Sequence, residues 1–140
     1  MRYVKFGDKY VIRVDRGEEV VETLRNFCGA HGIKAGVITG LGATNKAIVG
    51  LFETAAKIYH STELSGDYEI VQLNGNVSTL DGAPYVHIHA VLSDSRFLCY
   101  GGHLNSAIVS ATCECTLTAI DGEVPRSFSD EIGLNLYDLR

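Results

Sequence analysis

Two of the five histidines stand in His87-Ile88-His89, inside a run from Tyr85 to Leu92 that reads as a strand. Side chains alternate across a strand, so His87 and His89 project from one face while Ile88 points to the other. A third histidine closes Gly101-Gly102-His103, at the end of the next strand-like run, Phe97 to His103. If these runs pair as a hairpin about Asp94-Ser95-Arg96, His87 stands opposite His103, because both are equally distant from Ser95. Directly opposed residues share a face, with Cβ atoms roughly 5 Å apart. Three imidazoles then converge into the ligand set of a three-histidine site. A slip of a single residue would send His103 to the other face and dissolve it.

Neutral imidazole suits Zn²⁺, and also Ni²⁺, Cu²⁺ or Fe²⁺. Three protein ligands leave a fourth position open, unlike the closed shell of a structural zinc, and water in such a position has its pKa lowered towards neutrality. Gly101 and Gly102 leave the backbone beside His103 bare, so a ligand or a second chain can approach it closely. The same spacing also describes a solvated or interface histidine pair with Gly-Gly as a bulge, and spacing alone leaves both readings open. Glu114 lies in Thr112-Cys113-Glu114-Cys115-Thr116, a strand otherwise nearly free of charge. It is a candidate partner for a histidine or a general acid/base; the alternative is an outward-facing residue on a half-exposed strand.

Other suggestive residues carry less. His31 ends a helix, where a partly positive ring complements the dipole, and with Cys28 it lacks the third group that would orient a nucleophile pair. His60 has no companion. Gly40-Leu41-Gly42-Ala43-Thr44-Asn45-Lys46 has neither the third glycine of a dinucleotide fingerprint nor the Gly-Lys-Ser/Thr ending of a P-loop. It also runs into a strand pattern rather than a helix, and reads as a turn between strands.

The elements that must position the histidines follow from periodicity. Tyr3–Phe6 and Lys9–Val14 flank Gly7-Asp8 as an opening hairpin. Asp15-Arg16-Gly17-Glu18 resembles a capping box with Asp15 as N-cap. Val20, Val21, Leu24, Phe27 and Cys28 then mark one face of a helix over about Gly17–His31, stopped by Gly32. Strands are expected over Ile33–Leu41, Ala47–Phe52, Ala56–His60, Tyr68–Leu80, Tyr85–Leu92, Phe97–His103 and Ile108–Ile120. Turn signals separate them at Gly42–Asn45, Ser65–Asp67, Asp81–Pro84 and Asp94-Ser95. Short connections imply a mostly antiparallel sheet, and one helix packed on it makes the class α+β.

A length of 140 residues suits a single domain, 1–140, with its core over about 3–120 and a terminal strand or interface arm over 121–140. Hydrophobic residues make up 46%, which excludes global disorder. Twelve Lys and Arg against 17 Asp and Glu give a net charge of −5, which excludes a uniformly basic nucleic-acid binder. A mean hydropathy of +0.08 leaves apolar surface for a partner subunit to cover. No apolar run reaches the roughly 18 residues of a membrane span, and the N-terminus reads straight into a strand rather than a signal peptide. Cys28, Cys99, Cys113 and Cys115 have no C-x-x-C spacing, so reduced, mostly buried thiols and a cytoplasmic location are expected.

The ordered string Gly40-Leu41-Gly42, Tyr68-Glu69-Ile70, Leu73-Asn74-Gly75-Asn76-Val77, His87-Ile88-His89-Ala90-Val91-Leu92-Ser93, Gly101-Gly102-His103-Leu104 and Thr112-x-Glu114 resembles the PPC domain (plants and prokaryotes conserved), in its stand-alone prokaryotic form. The resemblance covers roughly residues 3–120. It implies a single helix against an antiparallel sheet and a homotrimer, with a binding or regulatory role in DNA-associated complexes through protein partners. His87, His89 and His103 match the positions that look like a metal site in prokaryotic members, zinc being the expected ion. Glu114 matches the family's Thr-x-Glu, consistent with a place near the metal and with an alternative reading as a zinc-dependent hydrolase or lyase. Plant members carry a basic AT-hook for the DNA minor groove. This chain has no Arg-Gly-Arg-Pro core, so direct DNA binding is the disfavoured alternative.

Overall fold

The computed structural model describes residues 1–139. Strands β1 (Arg2–Phe6) and β2 (Lys9–Asp15) form the expected hairpin, with Gly7 at φ +58° in the turn. Along β2, Tyr10, Ile12 and Val14 are buried and Lys9, Val11 and Arg13 exposed, so the alternation fixes which face meets the core. Helix α1 (Val20–Ala30) starts later than Gly17. The Asp15–Glu18 contact does form, the Asp15 N–H donating to Glu18 Oε2 at 2.8 Å. Asp15 stays in the strand, however, paired with Thr112, and Gly17 turns at φ +86°. The cap passes to Glu19, whose carboxylate accepts from the N–H groups of Val21 (3.0 Å) and Ala107 (2.8 Å). Val20, Leu24, Phe27 and Cys28 are the buried face, and Gly32 at φ +64° follows the last turn as expected.

Four long strands follow: β3 (Gly36–Glu53), β4 (Ile58–Leu80), β5 (Ala83–Ser93) and β6 (Cys99–Ala119). Two of the expected turns are absent. Gly42–Asn45 lies inside β3 and Ser65–Asp67 inside β4, where the register shifts between Gly40 and Gly42 and between Thr44 and Lys46. Turn-forming residues are tolerated there as bulges because β3 is paired on both sides. Thr44 is buried, its hydroxyl donating to the Ile108 carbonyl at 2.7 Å. The gap expected between His103 and Ile108 is likewise continuous strand within β6. Asp81-Gly82 remains a true hairpin turn, with both φ angles positive at +51° and +78°.

The strand order is β1-β2-β6-β3-β4-β5, and β5 also pairs back onto β6, so β3, β4, β5 and β6 close into a ring. Every pairing between named strands is antiparallel. Inside sit Ile38, Leu73, Val77, Ile88, Leu92, Leu104, Val109 and Leu117, with α1 packed against β5 and β6. A mostly antiparallel sheet with one helix of 11 residues is the α+β arrangement expected. The tail does not extend the main sheet as an edge strand. Instead β7 (Arg126–Ser129) pairs with β8 (Leu134–Tyr137), and an isolated bridge joins Pro125 to Thr79. Among the described residues no helix is long and apolar enough to cross a membrane.

Gly42 lies where β3 packs tightly on β6: a Cβ there would meet the Thr112 carbonyl and come within 2.7 Å of Cys113 Cα. Because both neighbours are backbone, Gly42→Ala should lower unfolding stability by about 2 kcal/mol in a denaturant titration. An unchanged midpoint would show that β3 and β6 can separate there.

Candidate metal centre

The hairpin joining β5 to β6 turns over Asp94–Leu98, not Asp94–Arg96. The Asp94 N–H donates to the Leu98 carbonyl (3.0 Å), and the Asp94 carboxylate accepts from the N–H groups of Arg96 (2.8 Å) and Leu98 (3.0 Å). Phe97 takes φ +62° within that turn instead of starting the strand. The consequence is a register in which His89, rather than His87, stands opposite His103. The displacement is two residues, an even number, so all three rings keep the same face.

Ring centroids lie 5.0 Å apart for His87 and His103, 5.1 Å for His87 and His89, and 5.6 Å for His89 and His103. One ring nitrogen from each lies within 4.8 Å of the other two. Tetrahedral zinc at about 2.0–2.1 Å from imidazole needs its nitrogens about 3.4 Å apart, a spacing that modest side-chain rotations reach. Neutral nitrogen donors, with the side-chain-free Gly101 on the same face as His103, therefore fit a divalent transition metal. His87 and His103 are half-buried and His89 is exposed, so the open side faces solvent.

Burial holds the His87 pKa down to about 4, reinforced by the positive charge of His103, Arg126 and His89. His103 is lowered as well, first by burial and then by His89. At neutral pH both rings are thus uncharged, with a lone pair free to coordinate.

Sequence reasoning missed the surroundings. Asn76 is the β4 partner of His87 and Asn74 that of His89. The signal was present, since Asn74-Gly75-Asn76 repeats the i, i+2 spacing of the histidines on the neighbouring strand. Arg126, from the tail, donates from Nη2 to Asn76 Oδ1 at 3.0 Å, from Nε to Ser78 Oγ at 2.7 Å and from Nη1 to the Asn135 carbonyl at 2.9 Å. Its guanidinium lies between Tyr85 and Tyr137, 4.6 and 4.5 Å from their ring centres. Tyr59 packs edge-on against His103 at 6.2 Å and donates to Asn105 Oδ1 at 2.7 Å. It occupies the space that any side chain at Gly50, the β3 partner of His103, would need.

Glu114 is not brought to the histidines within one chain. It is exposed and pairs with Arg13 and Leu41, whereas His103 pairs with Gly50. The span from Leu41 to Gly50 along β3 is about 30 Å at strand rise, which no side chain bridges. His31 stacks on Phe27 and lies 3.0 Å from the Tyr3 hydroxyl, His60 pairs with Glu53 at 3.0 Å, and burial pushes the Cys28 thiol up to about 12. None of these contributes to the centre.

A one-helix, antiparallel α+β domain carrying three imidazoles on a solvent-facing sheet defines the class of protein. Residues 1–121 match the Plants and Prokaryotes Conserved domain, and the chain belongs to that family. It is similar in structure to a candidate DNA-binding protein of Bacteroides thetaiotaomicron, with a TM-score of 0.96 and 31% identity over 98% of this chain and 96% of that one. It is also similar to a metal-containing protein of Archaeoglobus fulgidus, with a TM-score of 0.87 and 36% identity over 95% and 94% of the two chains. The plant- and prokaryote-conserved protein of Pyrococcus horikoshii gives a TM-score of 0.87 at 32% identity, over 99% and 96%. No curated protein matches the chain.

The depressed His87 pKa has a definite sign. In metal-free protein the unfolded chain, with an ordinary histidine, binds the proton that the folded chain refuses between about pH 6.5 and pH 4. Stability therefore rises with pH across that window, and His87 contributes a loss as pH falls through it. An NMR titration in chelator should show the His87 ring neutral down to about pH 5; a midpoint near 6.5 would contradict its burial.

Proposed function

We propose that this protein is a homotrimeric metal-binding member of the family, with one three-histidine site per subunit that holds zinc. Its role would be binding or regulation in the cytoplasm, including DNA-associated complexes reached through protein partners. The observation that carries the reading is the convergence of one nitrogen each from His87, His89 and His103, within 4.8 Å. The name of the Archaeoglobus relative as metal-containing supports it. Assembly is supported by the outward face of the sheet, where Val4, Val11, Val37 and Leu41 are each about half exposed. When bound, the ion supplies Lewis acidity at a position open to solvent. The chain supplies the neutral donors, and Tyr59 and Asn105 brace the ring of His103.

Direct DNA contact draws support from the description of the Bacteroides relative. A chain of net charge −5 gains little from phosphate contacts, so a route through a partner suits it better. A hydrolase or lyase reading with Glu114 as acid/base requires Glu114 to come from another copy of the chain, because within one chain it lies on a distant part of β6.

Elemental analysis of protein purified without a histidine tag should give about one zinc per chain, and background levels in His87→Ala. Equal metal in the two samples would defeat the ligand assignment. Light scattering on the same wild-type sample should report three times the chain mass, and a monomer would remove the trimer.

A further inference from the structure

The charges around the three histidines are one-sided. Three neutral imidazoles leave a divalent ion its full charge, and the charged group that acts on His87 from outside the cluster is Arg126, another cation. No carboxylate is among the groups acting on His87 or His103. Arg126 itself forms no ion pair among the described residues. Its guanidinium has five N–H donors, of which three are bound to Ser78, Asn76 and Asn135. The remaining donors belong to a group clamped between two tyrosine rings, beside the β4 partner of His87. An immobile, unpaired cation next to a metal centre without anionic ligands is a place for an anion.

On the other flank of His89 a hollow of about 280 Å³ is lined by Gln72, Asn74, Val91, Gly101 and Gly102. The side-chain amides of Gln72 and Asn74 have no hydrogen-bond partner among the described residues. Its lining therefore offers amide donors and acceptors, with no Asp, Glu, Lys or Arg side chain.

We propose that the open position of the centre takes the carboxylate of a small polar molecule, with Arg126 as its counter-charge and the Gln72–Asn74 hollow holding its uncharged body. A carboxylate has two oxygens, one for the ion and one for a guanidinium N–H, which matches the donors on offer. A phosphate would set further charged oxygens against a hollow that carries amides and no second cation. This inference rests on the metal reading above and adds a ligand class to it.

The test uses tag-free protein loaded with Co²⁺, whose visible spectrum reports the metal and its fourth ligand separately from any activity. Acetate should shift the bands, and N-acetylglycine, whose amide can meet Gln72 and Asn74, should bind about fivefold to tenfold more tightly. Arg126→Gln should weaken both by about tenfold with cobalt stoichiometry unchanged, and Arg126→Lys should recover part of the loss. Because Arg126 also anchors the tail, Asn74→Leu provides a second arm, in which N-acetylglycine loses its advantage over acetate. Bound cobalt with no response to either acid would overturn the proposal and leave the metal site standing. So would an Arg126→Gln affinity equal to wild type, or phosphate binding more tightly than both carboxylates. Failure to bind cobalt at all would remove the metal site and this proposal with it.

Discussion

The pairing of β5 with β6 is the contact on which the rest depends. It closes the β3–β4–β5–β6 ring, and the same register sets His89 opposite His103 with His87 alongside. Strand alternation then does the sorting: Ile88, Ala90, Leu92 and Leu104 face the core, while the imidazoles and the two asparagines of β4 share the outer surface. The packing of the core and the placement of the imidazoles are thus fixed by one set of backbone hydrogen bonds, read from opposite faces.

Much of this was legible in the residues. The opening hairpin, the buried stripe of α1 and the shared face of the histidines all follow from periods of two and 3.6. The register was off by two because nothing local in Asp94-Ser95-Arg96-Phe97-Leu98 distinguishes a short turn from one that absorbs Phe97 in a left-handed conformation. The parity survived, and with it the shared face of the three rings. Gly42–Asn45 and Ser65–Asp67 misled for a different reason: turn chemistry is local, and the pairing of β3 with both β4 and β6 absorbs these residues as bulges. The helix began late because β2 held Asp15 and Glu19 capped in its place. Arg126 was invisible because its meaning comes from a tail hairpin packing across the sheet, a contact between segments with no shared pattern. Glu114 failed to reach the histidines for the converse reason, since strand length rather than residue type separates it from His103.

The electrostatics run against the whole-chain average. The protein is acidic, yet the surroundings of His87 contain other imidazoles and a guanidinium, and burial keeps the ring neutral. Net charge argues about encounter with large polyanions, whereas a centre a few ångströms across responds to the groups that touch it. A net negative charge and a locally cationic neighbourhood therefore coexist in one small domain.

The seam also has a mechanical meaning. His87 and His89 belong to one side of the closure and His103 to the other, and the hairpin between them is the last stretch where the ring could part. A shared ion there would act as a clasp. Opening the seam would require releasing it, so a bound ion would add its own hold to the backbone pairing that already closes the cylinder.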